Sequence, residues 1–72
     1  MNDFNMAETG QRIKELRLSL GFTKKELADQ IGVAQNTIAQ YEKGKAKTSI
    51  EAIVSLANIL QTTTDYLLLG KE

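Results

Sequence analysis

Residues 23–47 read TKKELADQIGVAQNTIAQYEKGKAK, and their apolar spacing predicts two short helices. Leu27 and Ile31 are four residues apart, which places them on one face of a first helix. Ile38 and Tyr41 are three residues apart, which places them on one face of a second. Few residues separate the two apolar pairs, so a tight turn must join the helices.

Three residues at the junction favour a fixed angle between these helices. Ala28 is small enough to let the two helices cross closely. Gly32 follows the first helix, where the chain needs a positive φ that glycine adopts at little cost. We expect Val33 to point back into the angle between the helices. The arrangement predicts a helix-turn-helix.

The segment GVAQNTIAQYEKGKAK, residues 32–47, resembles the lambdoid phage repressor and Cro class of helix-turn-helix, the XRE-like family of small bacterial and phage transcriptional regulators. The resemblance runs from about Gly10 to Gly70. It implies an all-α, compact five-helix, lambda-repressor-like fold in which helices 2 and 3 form the helix-turn-helix. It also implies that helix 3 enters the major groove of double-stranded DNA while helix 2 lies across the backbone.

This resemblance makes a sequence-specific DNA-binding transcriptional regulator the expected function, with repression as the expected mode. One copy would read only about four to six base pairs, so a homodimer on a two-fold symmetric operator is expected. The alternative is an antitoxin-type module that caps a toxin and regulates its own gene, because such a module would keep the same fold. A protein partner, toxin or polymerase, therefore stays open, as does a further C-terminal domain.

The composition excludes several classes of function. Seventy-two residues are enough for one domain with a small core. The chain contains no cysteine and no histidine, so it lacks thiolate metal ligands and the commonest general base. We expect no catalytic residue, no metal, no cofactor and no enzymatic activity. No apolar run approaches the ~20 residues that span a bilayer and no signal peptide opens the chain, so we expect no membrane contact and a cytoplasmic location, on the nucleoid when DNA is bound.

The charges are distributed unevenly along the chain although the net charge is zero. Residues 24–47 hold five lysines and three acidic residues, and three of these lysines are grouped at the end of the segment. Most of the acidic residues lie outside it. We therefore expect one basic face and an acidic back.

Capping residues and apolar periodicity predict five helices, at about residues 7–20, 24–31, 35–43, 49–60 and 64–69. The expected caps are Asn5, a capping box of Thr23 with Glu26, a second capping box of Thr48 with Glu51, and Thr63. The expected core stripes are Ile13, Leu16 and Leu20 on the first helix and Ile50, Ile53, Val54, Ala57 and Leu60 on the fourth. Residues 1–6 are expected to be a flexible segment and residues 7–70 a single helix-turn-helix DNA-binding domain.

The outward face of the third helix carries Gln35, Asn36, Ala39 and Gln40, with no charge among them. Glutamine and asparagine both donate and accept, which matches the N6/N7 edge of adenine in the major groove. Ala39 is small enough to allow close approach or to contact a thymine methyl group. These four residues are the base-reading candidates. The alternative is a neutral polar face that only confers solubility.

Residues at the starts of the second and third helices, and lysines from the end of the third helix into the loop after it, are candidates for contact with DNA phosphates. Lys24 and Lys25 oppose the dipole of the helix that they open, and such a local conflict indicates another use. The full set is Thr23, Lys24, Lys25, Thr37, Lys43, Lys45 and Lys47. Such contacts supply affinity without sequence information. The alternatives are solvated lysines and, for Thr37, a role within the first turn of its own helix.

Two further sets of residues are expected to be structural. Arg17 lies beside the apolar stripe of the first helix, where it is either a solvated side chain or a partner of Glu42, and the resemblance favours a structural ion pair.

The run Tyr66-Leu67-Leu68-Leu69 cannot face one core throughout. Tyr66 and Leu69 are therefore candidates for a dimer contact that covers exposed apolar surface. The simpler alternative is that Leu69 frays at the chain end.

Overall fold

The computed structural model describes residues 5–71, and this part of the chain forms five α-helices without a strand. The helices are α1 (Met6–Ser19), α2 (Lys24–Ile31), α3 (Gln35–Glu42), α4 (Ile50–Ile59) and α5 (Thr64–Leu69). α1 packs against α3 and α5, α2 packs against α3 and α4, and α4 packs against α5. The predicted all-α, five-helix fold is confirmed. No helix within residues 5–71 is long and apolar enough to cross a bilayer.

Side chains of the expected type cap α1, α2 and α5. Asn5 Oδ1 accepts hydrogen bonds from the backbone N–H groups of Ala7 and Glu8, so α1 begins at Met6, one residue earlier than expected. The segment expected to be flexible therefore contributes Met6 to a helix, and its residues 1–4 lie outside the described residues. Thr63 Oγ1 accepts from the N–H of Tyr66 at 3.0 Å.

α4 differs from the prediction at its start. Ser49 rather than Thr48 is the N-cap, because Ser49 has the extended backbone of a cap and its Oγ accepts from the N–H of Ala52 at 3.1 Å. The predicted capping box of Thr48 with Glu51 is therefore wrong. The helix begins at Ile50, one residue later than expected.

The buried face of α4 also differs from the prediction. Ile53, Ala57 and Leu60 are buried as expected, but Ile50 is 84% exposed and Val54 is 46% exposed. Ala52 and Leu56 take their places in the core. The buried stripe of α4 is therefore centred nearer to Leu56 than the apolar pattern indicated. Ile50 is the first residue of the helix and lies outside the core.

The core combines one face of every helix. Its buried apolar members are Ile13, Leu27, Ala28, Ile38, Tyr41, Ala52, Ile53, Leu56, Ala57, Leu60 and Leu67. Leu16 packs against this cluster, but Leu20 does not belong to it. Leu20 is the C-cap of α1 and is 40% exposed, because the helix ends before its side chain can follow the stripe. The prediction of Leu20 as a core residue is therefore wrong.

Candidate nucleic-acid interface

The turn between α2 and α3 has the geometry that the sequence predicted. Gly32 has φ 75° and ψ 33°, a left-handed conformation that favours glycine. The N–H groups of Gly32 and Val33 both donate to the carbonyl oxygen of Ala28, which closes the end of α2. Ala28 is 1% exposed where the helices meet. The predicted helix-turn-helix is confirmed.

The start of α2 is fixed by a capping box. Thr23 Oγ1 accepts from the N–H of Glu26 at 3.0 Å, and Glu26 Oε1 accepts from the N–H of Thr23 at 2.8 Å. Lys24 and Lys25 follow directly. Lys24 is half-buried, whereas Lys25 is exposed and lies 3.1 Å from Asp29 Oδ2. Because both side chains of that pair are mostly in water, it leaves Lys25 free to exchange Asp29 for another anion.

The inner face of α3 is packed against α1 at backbone distance. Ile38 is fully buried, and Tyr41 is 8% exposed. Gly10 of α1 faces the last turn of α3 so closely that an added Cβ would overlap the carbonyl oxygen of Tyr41 and lie 2.7 Å from that of Glu42. Only glycine permits this approach. Sequence reasoning did not identify Gly10 as a contact residue, although a glycine inside a helical pattern was the available signal.

A buried ion pair joins the same two helices. Arg17 Nε donates to Glu42 Oε2 at 2.6 Å, and a second guanidinium nitrogen lies 3.3 Å from Glu42 Oε1. The third nitrogen donates to the carbonyl oxygen of Phe22 at 2.9 Å. Arg17 and Glu42 are 5% and 8% exposed, so Arg17 is not a solvated side chain. The pair thereby connects α1, the loop before α2 and the end of α3.

The outer face of α3 is partly exposed and mostly polar, unlike the buried inner face. Gln35 and Asn36 are exposed, and Ala39 and Gln40 are half-buried. No side-chain hydrogen bond within residues 5–71 occupies any of the three amides. All four predicted base-reading residues therefore lie on one side of a short helix whose other side is fixed.

The N-terminus of α3 is unlike the other helix starts in the described chain. Its N-cap is Ala34, which has no side-chain hydrogen bond to the helix, whereas Asn5, Thr23, Ser49 and Thr63 cap the others. Alanine is among the poorer N-cap residues. Thr37, in the first turn, is half-buried, and its N–H donates to the carbonyl oxygen of Ala34 at 2.9 Å.

The remaining lysines lie on the loop between α3 and α4. Lys43, Lys45 and Lys47 are exposed, and none of them forms an ion pair with another residue in the range 5–71. No group of three or more acidic side chains that could hold a metal ion occurs in the same range. The loop therefore presents positive charge with which no carboxylate of residues 5–71 forms an ion pair.

The predicted dimer residues lie on α5, and Leu69 lines a surface pocket together with Lys47 of the loop. Tyr66 is half-buried, Leu67 is fully buried and Leu69 is 38% exposed. The expectation that at least one large apolar side chain of this run is exposed therefore holds for Leu69. Ile50, which the sequence predicted to be in the core, is nearby and has a larger exposed fraction than Leu69.

Comparison with protein families identifies the family and the fold. A family model described as helix-turn-helix matches residues 13–67, which include the turn, α3 and the lysine loop. The chain belongs to this helix-turn-helix family. Its resemblance to lambdoid repressors is also confirmed in three dimensions. The P22 c2 repressor, solved in complex with a synthetic operator, superposes with a TM-score of 0.84 at 32% identity, covering 88% of this chain and 96% of that one.

The relatives found by sequence are HTH-type transcriptional regulators. The chain is 38% identical over 61 residues to the SPbeta prophage-derived uncharacterized HTH-type transcriptional regulator YonR of Bacillus subtilis, covering 85% of this chain and 56% of YonR. It is 41% identical over 61 residues to the HTH-type transcriptional regulator AnsR of the same organism, covering 85% of this chain and 52% of AnsR. The chain thus spans about half the length of the curated relatives that it matches.

Proposed function

We propose that this chain is a sequence-specific, double-stranded DNA-binding transcriptional regulator, with residues 7–70 as the DNA-binding domain and repression as its mode of action. The observation that carries the proposal is the outer face of α3. It presents the amides of Gln35, Asn36 and Gln40, which form no side-chain hydrogen bond within residues 5–71, on a helix whose inner face is fixed by burial and by an ion pair. Preorganised donors and acceptors of this kind suit the edge of a base pair.

In the proposed complex α3 enters the major groove and its amides read bases. An α-helix with its side chains is about 10–12 Å across, which fits the roughly 12 Å width of the major groove of B-DNA. Ala39 lies between the amides and allows the helix to approach a thymine methyl group. Each good bidentate contact is worth about 1–3 kcal/mol of discrimination against the wrong base.

Contacts to phosphate would fix the position of α3 in the groove. The exposed lysines of the loop, Lys43, Lys45 and Lys47, supply charge that no acidic residue of the described chain pairs with. Lys24, Lys25, Thr23 and Thr37 supply further donors near the starts of α2 and α3. The uncapped first turn of α3 adds backbone N–H groups and the positive end of the helix dipole.

We also propose that two copies bind a two-fold symmetric operator, because one short helix reads too few base pairs for tight binding. The P22 c2 repressor was solved in complex with a synthetic operator, and the alignment with this chain covers 96% of that solved chain. The protein would act in the cytoplasm by occupying the operator. No cofactor enters the proposal.

The test is selection of bound sequences from a random duplex library at physiological salt, with folding verified by circular dichroism. We expect a two-fold symmetric consensus whose half-sites are about ten base pairs apart. Folded protein that enriches no sequence would contradict the proposal. In that case co-purification of a small partner from the source cells would favour the antitoxin-type alternative.

A further inference from the structure

The lysine loop, residues 43–49 between α3 and α4, begins with a turn that is hydrogen-bonded to the end of α3. The N–H of Lys45 donates to the carbonyl oxygen of Gln40 at 3.0 Å, and the N–H of Gly44 donates to that of Tyr41 at 3.1 Å. Together with φ 70° at Gly44, these bonds form a Schellman motif. The backbone of Lys45 is therefore fixed relative to Gln40, one of the base-reading candidates.

Gly44 also contacts the first turn of α1. A Cβ added to Gly44 would lie 2.7 Å from the Cα of Ala7 and 2.9 Å from its backbone nitrogen, so a side chain there would force two backbones apart. The first turn of α1 is itself held, because Asn5 Oδ1 accepts from the N–H of Ala7 at 2.9 Å. Gly10, on the next turn of α1, contacts the last turn of α3 in the same way. The start of the lysine loop therefore rests on a fixed part of α1.

We infer that Ala7 and Gly44 are positioning residues for DNA binding, because the contact between them holds Lys43 and Lys45 where they reach phosphates. The inference rests on the proposed DNA-binding function. Gly44 is the single residue between these lysines, and neither lysine forms an ion pair within residues 5–71. The backbone of the turn therefore decides where both side chains begin. A turn that is fixed before binding loses less conformational entropy when the phosphates are contacted, which raises the affinity.

Gly21 provides a matched control, because it occupies the same motif at the end of α1 without the contact. The N–H of Phe22 donates to the carbonyl oxygen of Arg17 at 3.0 Å, the N–H of Gly21 donates to that of Leu18 at 3.1 Å, and Gly21 has φ 81°. A Cβ added to Gly21 would meet no atom within 4 Å. Alanine in place of either glycine is strained by the positive φ, but only at position 44 does it also collide with α1.

The test compares Gly44→Ala with Gly21→Ala, after urea denaturation has shown that both are folded. Each is titrated with a selected duplex and a scrambled duplex over a range of salt concentrations. We expect Gly44→Ala to lose roughly three- to tenfold in affinity for both duplexes and to lower the slope of log affinity against log salt by about 1 to 2, because one or both lysines lose a phosphate. Gly21→Ala should keep the affinity and the slope of the unchanged protein. Hydrogen exchange of the Lys45 amide should be faster in Gly44→Ala and unchanged in Gly21→Ala.

The outcomes separate the positioning role from a purely structural one. Folded Gly44→Ala that keeps the affinity and the salt slope of the unchanged protein would overturn the inference and leave the proposed function intact. An equal fall of the slope in Gly21→Ala would overturn it as well, because the positive φ and not the contact would be the cause. A loss confined to the selected duplex would overturn the assignment to the lysines. Failure of the unchanged protein to bind either duplex would instead overturn the proposed function, and this inference with it.

A second variant, Asn5→Ala, loosens the support without placing an atom in the contact. Asn5 is exposed, and its loss leaves the first turn of α1 without its cap, so the backbone of Ala7 frays. The matched control is Thr63→Ala, which removes the cap of α5 and the hydrogen bond from the N–H of Tyr66. Asn5→Ala should lower the salt slope, whereas Thr63→Ala should not. Equal slopes in these two variants would overturn the inference even if Gly44→Ala does not fold.

Discussion

On the inner face of α3, Ile38 is fully buried and Glu42 forms a buried ion pair, whereas on the outer face Gln35 and Asn36 are exposed and make no side-chain hydrogen bond to the described chain. One face of this eight-residue helix is thus held by packing against other helices, whereas the amides of its other face form no hydrogen bond that holds the described chain together. The difference supports the proposal that the outer face sets what the helix recognises, because the inner face sets where the helix lies. Substitutions on the two faces should therefore change different quantities.

The largest effect should come from breaking the ion pair. Glu42→Gln leaves the guanidinium of Arg17 buried without a countercharge, and removal of one partner of a buried pair costs about 3–5 kcal/mol. The free energy of unfolding, measured by urea denaturation, should fall by that amount. The control is Lys25→Ala, which removes an exposed pair and should cost about 0.5 kcal/mol or less. Equal losses in the two variants would show that burial of the Arg17–Glu42 pair has no special effect.

The next largest effect should come from Gly10→Ala. In an exposed helix this change is stabilising, by roughly 0.5–1 kcal/mol, because alanine restricts the unfolded chain. Here the new Cβ would overlap the backbone of α3, so we expect the opposite sign and a loss of about 3 kcal/mol. Urea denaturation again gives the value, with Lys14→Ala on the exposed side of α1 as the control. A stabilised Gly10→Ala variant would mean that α1 and α3 can separate without cost.

The inner face also shows how far sequence reasoning extends. Periodicity predicted Ile38 and Tyr41 as buried, and a positive φ was predicted at Gly32, because both depend on neighbours within a few residues. Gly10 was not identified, because its role depends on a contact with a helix about 30 residues away. The position of Arg17 beside an apolar stripe left a solvated side chain and a pair with Glu42 open, and the resemblance favoured the pair. Only the folded chain shows that Arg17 also donates to the carbonyl oxygen of Phe22.

The fourth helix was predicted less well for a related reason. Its run of apolar residues is nearly continuous, so several stripes fit the sequence equally well. The position of the Ser49 cap and the packing of α2 and α5 select the stripe through Leu56, which leaves Ile50 and Val54 outside. The outer face of α3 was readable from sequence for the opposite reason, because an uncharged, amide-rich surface is distinctive without any tertiary contact.

On the outer face, Gln35→Ala and Gln40→Ala should change recognition without changing stability. Each should reduce the preference for the selected half-site by about 1–3 kcal/mol, because one base contact is lost, while binding to unrelated DNA is nearly unchanged. Competition titrations with selected and scrambled duplexes measure the preference, and urea denaturation should show a change within about 0.5 kcal/mol. Equal weakening on all sequences would show that these amides do not read bases.

The smallest effect on recognition should come from Lys45→Ala and Lys47→Ala, because phosphate contacts carry no sequence information. Each substitution should weaken binding to every duplex by a similar factor and lower the slope of log affinity against log salt by about 1. Lys14→Ala, on the exposed side of α1, is the control for loss of one positive charge and should leave the slope nearly unchanged. A slope that is unchanged in Lys45→Ala would return this loop to the solvated alternative. A change in base preference would mean instead that the loop positions α3, which would remove the separation between the two faces.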